Sequence, residues 1–223
     1  MSTIRASSLR HVRPVVPLRF PDSEAENEHL GQTTLHFDLC AALLQILRDA
    51  VGRDHTVGAD QFVYFNAASP RRCVAPDAFV KLGAPRAHFA SWKTWERGVP
   101  ELAVEILSNS DATEMWTLEE KLVRYHELGV RELIVFDADQ PAGSRLRAFD
   151  RLDDDLVERV VEGDRTPCVT IDLHFVVAPL ADIVAALRVA RDAAGRDLIP
   201  THDEAHRRAD ERIAELEAEL RRR

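Results

Sequence analysis

The most strand-like part of the chain is PELAVEILSNS (residues 100–110), an almost continuous apolar run with one carboxylate, Glu105, inside it. Such a run is typical of a strand that is buried on both faces of a sheet. The next stretch, EEKLVRYHELGVRELIVFD (119–137), predicts a helix from about Thr117 to Leu128, a left-handed cap at Gly129 and a second buried strand over 132–137. A strand, a helix and a strand in this order predict a parallel pair in an α/β fold.

Glu105 is the residue in this run that needs an explanation. A carboxylate inside an apolar strand costs several kcal/mol unless it is paired, hydrogen-bonded or bound to a metal ion. A second acid, Asp77, follows Pro76 at the start of a short apolar strand over 77–80. If these strands are neighbours, both carboxylates meet at one end of the sheet and offer the oxygen ligands that Mg²⁺ or Mn²⁺ prefers. A bound divalent ion activates water and stabilises charge on a phosphate, so the pattern indicates phosphodiester hydrolysis.

Two further side chains are candidates for the same site. Lys121, on the helix after the Glu105 strand, would stabilise the charged phosphate. Glu28, near the start of the first helix, would be a third carboxylate for the metal. Each assignment has a structural alternative: a turn at Pro76 and Asp77, an arginine partner for Glu105, a solvated helix face for Lys121, and a favourable helix N-terminus for Glu28.

The other predicted elements follow from apolar periodicity and turn residues. A long helix is predicted from residue 22 or 23 to Gly52, with a break near Gly31 left open. A loop is predicted over 83–100, where Trp92, Trp95 and Arg97 either stack on unpaired bases or anchor the loop on the sheet. The remaining elements are an extended arm over 1–20, strands over 61–65, 145–151, 156–162 and 168–173, and a helix over 180–191.

The C-terminal tail from Pro200 is a charged helix with a narrow apolar seam. Its apolar residues follow at spacings of four, three and four, which is the spacing of a coiled coil. The tail therefore either forms a homodimer through residues 205–220 or lies on the domain as a solvated helix. The seam consists of Ala209, Ile213, Leu216 and Leu220.

Composition limits the classes of function. The 223 residues are 45% hydrophobic and carry a net charge of −9, so attraction to DNA must be local or metal-assisted rather than general. No apolar run reaches the roughly 20 residues of a membrane span, and without a secretory signal we expect a cytoplasmic protein with no membrane partner. Three scattered cysteines indicate neither a disulfide framework nor a zinc site. The sequence has no phosphate-binding glycine loop, nucleophile elbow or HExxH string.

The motifs resemble a known family. PDAFVKLG (76–83), SWKTWERG (91–98), PELAVEILSNS (100–110) and EEKLVRYHELGVRELIVFD (119–137) are similar, in order, to those of the Uma-two family of restriction endonuclease-like proteins, over about residues 28–178. The resemblance implies the PD-(D/E)xK nuclease fold, an α/β fold whose central mixed sheet is flanked by helices. Together with the arm and the tail that the residue patterns predict, it divides the chain into an extended arm over 1–20, a nuclease-like domain over 21–199 and a charged helical tail over 200–223.

The resemblance also assigns the site residues. Asp77 matches the first motif acid, Glu105 the strand acid, and Glu28 the glutamate on the first helix of many members. The wider superfamily has a lysine two residues after the strand acid, where this chain has Leu107. Members of this family resemble one another in carrying the lysine on the next helix, where Lys121 matches.

Two functions are consistent with these observations. The first is a Mg²⁺- or Mn²⁺-dependent endonuclease acting on DNA, with Asp77, Glu105 and Glu28 as metal ligands and Lys121 on the phosphate. The second is a catalytically silent nuclease-like module that binds or assembles through its C-terminal helix. The acidic net charge and the missing strand lysine at Leu107 favour the second.

Overall fold

The computed structural model describes residues 33–107 and 117–222, so the predicted arm over 1–20 lies outside the described residues. The helices are α1 (Thr34–Val51), α2 (Thr94–Arg97), α3 (Leu118–Leu128) and α4 (His202–Arg221). The strands are β1 (Thr56–Gly58), β2 (Val63–Tyr64), β3 (Cys73–Val74), β4 (Ala78–Lys81), β5 (Trp92–Lys93), β6 (Leu102–Leu107), β7 (Glu132–Asp137), β8 (Leu146–Leu152), β9 (Asp155–Arg159), β10 (Arg165–Cys168), β11 (Leu173–Leu180) and β12 (Ile183–Ala190).

The central sheet has six strands in the order β1-β4-β6-β7-β8-β9. Strands β6 and β7 are parallel, in register from Leu102 opposite Glu132 to Leu107 opposite Asp137. Every other neighbouring pair in this sheet is antiparallel. Helix α3 connects the parallel pair, as the sequence predicts. The predicted α/β fold, a mixed sheet flanked by helices with a charged C-terminal helix, is therefore confirmed.

Helices α1 and α3 cover opposite faces of this sheet. Leu43 of α1 lies in one buried cluster with Val104 of β6, and Tyr125 of α3 lies in the other with Ala103. Because side chains alternate along a strand, Glu105 points to the same face as Ala103, toward α3. The alternation of β6 thus places the buried carboxylate under α3.

Helix α1 packs against a second sheet as well. The antiparallel strands β10, β11 and β12 contribute Phe175 and Leu187 to the cluster that contains Leu43. Arg188 of β12 is fully buried and donates to both carboxylate oxygens of Glu204, at 3.1 and 2.6 Å. This ion pair joins the first turn of α4 to the second sheet.

The predicted helix over 180–191 is wrong, because Ile183–Ala190 forms strand β12. Its Ala, Leu and Arg residues favour a helix locally, but pairing with β11 along most of its length overrides that preference. The predicted strand over 168–173 is also wrong. Residues 169–172 form a turn between β10 and β11, in which Asp172 adopts a left-handed φ of 54°.

The boundaries near the N-terminal half also differ from those predicted. Helix α1 begins at Thr34, after an extended Thr33 whose side chain accepts a hydrogen bond from the His36 amide (3.2 Å), so a single unbroken helix from 22 or 23 to Gly52 is wrong. The rest of that prediction, over 22–32, lies outside the described residues. The strand predicted over 61–65 is only Val63–Tyr64, and the predicted loop over 83–100 contains β5 and α2.

The C-terminal tail is a helix, as predicted. Helix α4 starts with a capping box between Thr201 and Glu204, and none of its residues is buried. Within the described part of the chain, no helix has the length and apolar character needed to cross a membrane.

Candidate metal and active site

Asp77 lies just before β4, at the end of the central sheet. Ala78 of β4 pairs with Val104 of β6. Asp77 and Glu105 each lie one residue beyond this pair, so they are next to each other at the same end of the two strands. The Asp77 side chain is buried, and its Oδ2 accepts a hydrogen bond from the Ile106 amide (2.6 Å). This bond fixes the Asp77 carboxylate against the strand that carries Glu105.

The other oxygen of Asp77 faces the first turns of α1. His36 Nε2 lies 3.0 Å from Asp77 Oδ1, and Cys40 Sγ donates to the same oxygen at 3.6 Å. His36 and Cys40 are four residues apart, so they share one face of the helix. Burial, together with the nearby Asp77, raises the pKa of the Cys40 thiol well above its usual range. Cys40 is therefore a protonated donor to Asp77 at neutral pH.

Glu105 is held by two side chains of α3. Lys121 Nζ donates to Glu105 Oε2 at 2.8 Å, and the Tyr125 hydroxyl donates to Oε1. The two donors are four residues apart on a helix that a capping box starts at Thr117, so their alignment follows from the local sequence. Lys121 thus lies beside the strand acid, although it comes from a different element.

The electrostatics of Glu105 reflect a second negative charge close by. Burial and the charge on Asp77 raise the pKa of Glu105 to about 7, from 4.5 for a free side chain, while Lys121 and Tyr125 oppose this rise. The single lysine therefore does not compensate both the burial and the repulsion between the two carboxylates. A cation placed between Asp77 and Glu105 would relieve both.

Two overlapping sets of side chains offer metal ligands. His36, Cys40 and Asp77 each supply one ligand atom, and these atoms lie within 4.8 Å of one another. A nitrogen, sulfur and oxygen set suits Zn²⁺, but Cys40 must first lose its proton to ligate. Asp77 and Glu105 supply only oxygen, which suits Mg²⁺ or Mn²⁺. The residues present therefore fit a divalent ion, and Asp77 belongs to both sets.

A second buried acid of the central sheet, Glu132, lies in a different environment from Glu105. Glu132 of β7 is also buried, but it accepts bonds from the Thr170 amide (2.8 Å) and from the Arg159 guanidinium (2.6 Å). The bond from Thr170, in the turn between β10 and β11, ties the central sheet to the second sheet, and the Arg159 guanidinium pairs with the charge of the Glu132 carboxylate. Glu132 is therefore a structural acid with an arginine partner, which is the alternative that the sequence leaves open for Glu105.

The structure brings together three of the four predicted site residues. Asp77, Glu105 and Lys121 meet at one end of the sheet, whereas Glu28 lies outside the described residues. The sequence analysis does not identify His36 as a site residue, and it assigns the cysteines, Cys40 among them, to no metal site. The signal that was available is their spacing of four on a helix near the predicted acid.

In the segment predicted as a loop over 83–100, Trp92 anchors the backbone to the sheet. Trp92 is buried, packs edge-on against Phe79 and Phe89, and donates its indole N–H to the Gly98 carbonyl (2.8 Å). Trp95 is 48% exposed. The anchoring alternative therefore holds for Trp92.

The sequence matches one family model over residues 27–175, a range that contains every predicted site residue. This chain belongs to the Uma2 family. The family is described as "Putative restriction endonuclease", and it is the Uma-two family that the motifs resemble. No curated protein matches the sequence.

One solved structure similar to this Uma2 chain is a "putative nuclease belonging to DUF820" from Anabaena variabilis ATCC 29413. The sequence identity is 11%, the alignment covers 64% of this chain and 76% of that one, and the TM-score is 0.45.

Proposed function

We propose that this chain is a metal-dependent endonuclease that hydrolyses phosphodiester bonds of DNA with Mg²⁺ or Mn²⁺. The observation that carries the proposal is the position of Glu105, which is buried between Lys121 and Tyr125 and beside a second carboxylate, Asp77. Membership of the Uma2 family supports the same reading at the level of the nuclease class.

The residues have distinct roles in this proposal. Asp77 and Glu105 hold the ion, with Glu28 as a third carboxylate ligand. A bound divalent ion would neutralise charge on the phosphate and lower the pKa of a water molecule. The Ile106 amide and His36 orient Asp77, and Tyr125 orients Glu105.

Lys121 supplies the positive charge that does not depend on the ion. Its Nζ lies 2.8 Å from Glu105 Oε2, at the edge of the acidic pair. When a phosphate is bound there, the ammonium group stabilises the negative charge that develops as the bond breaks. Because the Lys121 ammonium group already lies beside Glu105, stabilising the phosphate does not require a lysine at position 107 of the strand.

The test is divalent-ion binding followed by DNA cleavage. Calorimetry with Mn²⁺ and with Mg²⁺ is carried out on the wild type and on Glu105→Gln, and plasmid cleavage is then measured with the same samples. Glu217→Gln is the matched control, because Glu217 carries the same charge on the exposed helix α4.

We expect the wild type and Glu217→Gln to bind the ion and to cut, and Glu105→Gln to do neither. Binding that is equal in all three proteins would contradict the proposal. Glu28→Gln is expected to weaken Mn²⁺ binding without unfolding the protein, and unchanged affinity would remove Glu28 from the site.

One observation favours a second candidate, the silent module that assembles through α4. Ile213, Leu216 and Leu220 of this helix are 55%, 42% and 70% exposed, and they lie on one face. Two copies of α4 would cover these side chains in a homodimer. Sedimentation of the full chain and of a chain ending at residue 204 tests this: dimer in the first and monomer in the second supports it, and equal masses reject it.

A further inference from the structure

A cavity of about 420 Å³ lies away from the acidic site, beside the C-terminal end of α1 and strand β1. A volume of this size is typical of pockets that hold small ligands or parts of larger ones. Three arginines contribute to its wall. The lining residues are Arg48, Arg53, Val57, Gln61, Arg86, Ala87, His88 and Phe89.

The apolar part of the wall is fixed by the core. Val57 is buried and pairs with Val80 in the central sheet. Phe89 packs edge-on against the buried Trp92, with ring centroids 5.1 Å apart. Val57 and Phe89 are therefore held in place by their packing, and they fix the shape of this part of the cavity wall.

The fold brings the arginines together. Arg48 lies in the last turn of α1, and Arg53 comes just after the helix. The Arg86 amide donates to the Arg53 carbonyl (3.1 Å), which attaches the segment after β4 to the end of α1. Burial and the charge on Arg86 lower the pKa of Arg48, so these two guanidinium groups repel each other across the cavity.

No acidic residue compensates this repulsion within the described ranges, 33–107 and 117–222. The lining contains no carboxylate, and none of the three guanidinium groups forms an ion pair there. Asp49, the neighbour of Arg48, faces His202 of α4 instead (3.4 Å). Among the described residues, no group accepts a hydrogen bond from the buried Arg48 Nε, and a buried donor left in that state costs free energy. The cavity wall is thus a local excess of positive charge in a chain that has 38 acidic and 29 basic residues.

We propose that the cavity formed by Arg48, Arg53 and Arg86 binds a phosphate group. Guanidinium groups present several N–H donors in a plane and pair with phosphate oxygens in a bidentate manner. A phosphate would satisfy the Arg48 Nε and remove the repulsion between Arg48 and Arg86. A neutral acceptor would satisfy the Nε but would leave the repulsion between Arg48 and Arg86 in place.

The phosphate has two possible sources, a nucleic acid strand and a free phosphate compound. Arg48 follows His36 by twelve residues on α1, which is about 18 Å along the helix axis. On a DNA strand, where phosphates advance about 3.4 Å per base pair, this distance corresponds to roughly five base pairs from the cleavage site. The DNA arm of the inference therefore rests on the proposed function, whereas phosphate binding itself does not.

The experiment is carried out without divalent ions, in the presence of EDTA, so that metal-dependent chemistry does not contribute. Two probes are titrated, inorganic phosphate and a DNA duplex longer than ten base pairs. The proteins are the wild type, the double variant Arg48→Gln with Arg86→Gln, and the control Arg207→Gln with Arg208→Gln. The control removes the same charge from the exposed helix α4, and thermal unfolding checks that all three are folded.

We expect the cavity variant to lose at least tenfold in affinity for inorganic phosphate, and the control to stay within about twofold of the wild type. If the phosphate of DNA occupies the cavity, DNA affinity falls as well, and the slope of log affinity against log salt decreases by about 0.9 per lost phosphate contact. If only phosphate affinity falls, the ligand is a free phosphate compound. Equal behaviour of the cavity variant and the control with both probes would overturn the proposal.

Arg48→Lys covers the case in which the double variant does not fold. It keeps the charge but loses the bidentate geometry, so phosphate affinity should fall by a smaller factor and the fold should persist. Unchanged affinity in this variant would also count against the site. Failure here leaves the cleavage test with Glu105→Gln unaffected, since that test depends on the acidic site alone.

Discussion

Replacing Glu105 with Gln should change how the stability of the metal-free protein depends on pH. The pKa of Glu105 is about 7 in the fold and 4.5 in a free side chain. Between these values the folded chain keeps a proton that the unfolded chain has lost. Glu105 therefore makes the folded state less stable as the pH rises from about 4.5 to about 7, and the loss stays constant above that range.

The size of the effect follows from the same pKa values. At about 1.4 kcal/mol per pKa unit, the gap corresponds to about 3 kcal/mol. The assay is urea denaturation in EDTA at about pH 5 and about pH 8, which lie near the two ends of this range. Part of this loss has already occurred at about pH 5, so the wild type should lose about 2–3 kcal/mol more than Glu105→Gln between the two pH values, because the other groups contribute alike to both proteins.

A control and a metal arm complete this experiment. Glu217→Gln removes an exposed carboxylate that pairs with Arg221 (3.0 Å) and should follow the wild type. Mn²⁺ at about a hundred times its dissociation constant should stabilise the wild type by about 2.7 kcal/mol and leave Glu105→Gln unchanged. Parallel pH curves for the wild type and Glu105→Gln would refute the reasoning that burial and Asp77 penalise the charged form of Glu105.

Four other variants test separate parts of the structure. Cys40→Ser should keep Mn²⁺ affinity within about threefold but lower Zn²⁺ affinity more than tenfold in calorimetry, because only Zn²⁺ favours sulfur; equal losses would contradict this. Lys121→Met should abolish plasmid cleavage while calorimetry still shows Mn²⁺ binding, and retained cleavage would remove Lys121 from the mechanism. Arg188→Leu leaves Glu204 unpaired and should lower the free energy of unfolding by about 3 kcal/mol in urea, so a loss below about 1 kcal/mol would be inconsistent with a buried ion pair. Gly58→Ala places a methyl group against the Phe79 ring and should cost about 1–3 kcal/mol, whereas an unchanged urea midpoint would show that the ring moves freely.

The unit formed by β6, α3 and β7 could be predicted because its signals are local and agree. The apolar run around Glu105 has the length of a strand, Gly129 adopts the left-handed φ of 84° expected for a helix cap, and the second run follows at once. The meeting of Asp77, Glu105 and Lys121 could also be predicted, because it depends on neighbouring strands and on the motif order of a recognisable family.

The remaining features depend on contacts that the sequence does not display. Strand β12 reads locally as a helix, and its pairing with β11 determines its conformation. His36 and Cys40 join the site only because α1 crosses the end of the sheet that carries Asp77. Glu132 is a second buried strand acid, but its arginine comes from β9, so sequence alone does not separate its structural role from that of Glu105.

The position of the family boundary inside β11 limits how far the protein can be shortened from its C-terminal end. The segment shared with the family stops at residue 175, inside strand Leu173–Leu180. A fragment ending there would lose β12, expose the side of α1 that Leu187 covers, and leave an unpaired strand edge that promotes aggregation. The smallest fragment that folds must therefore include β12, and a fragment that reaches Glu204 also keeps the stabilising pair with Arg188, so the folding unit is longer than the region by which the family is recognised.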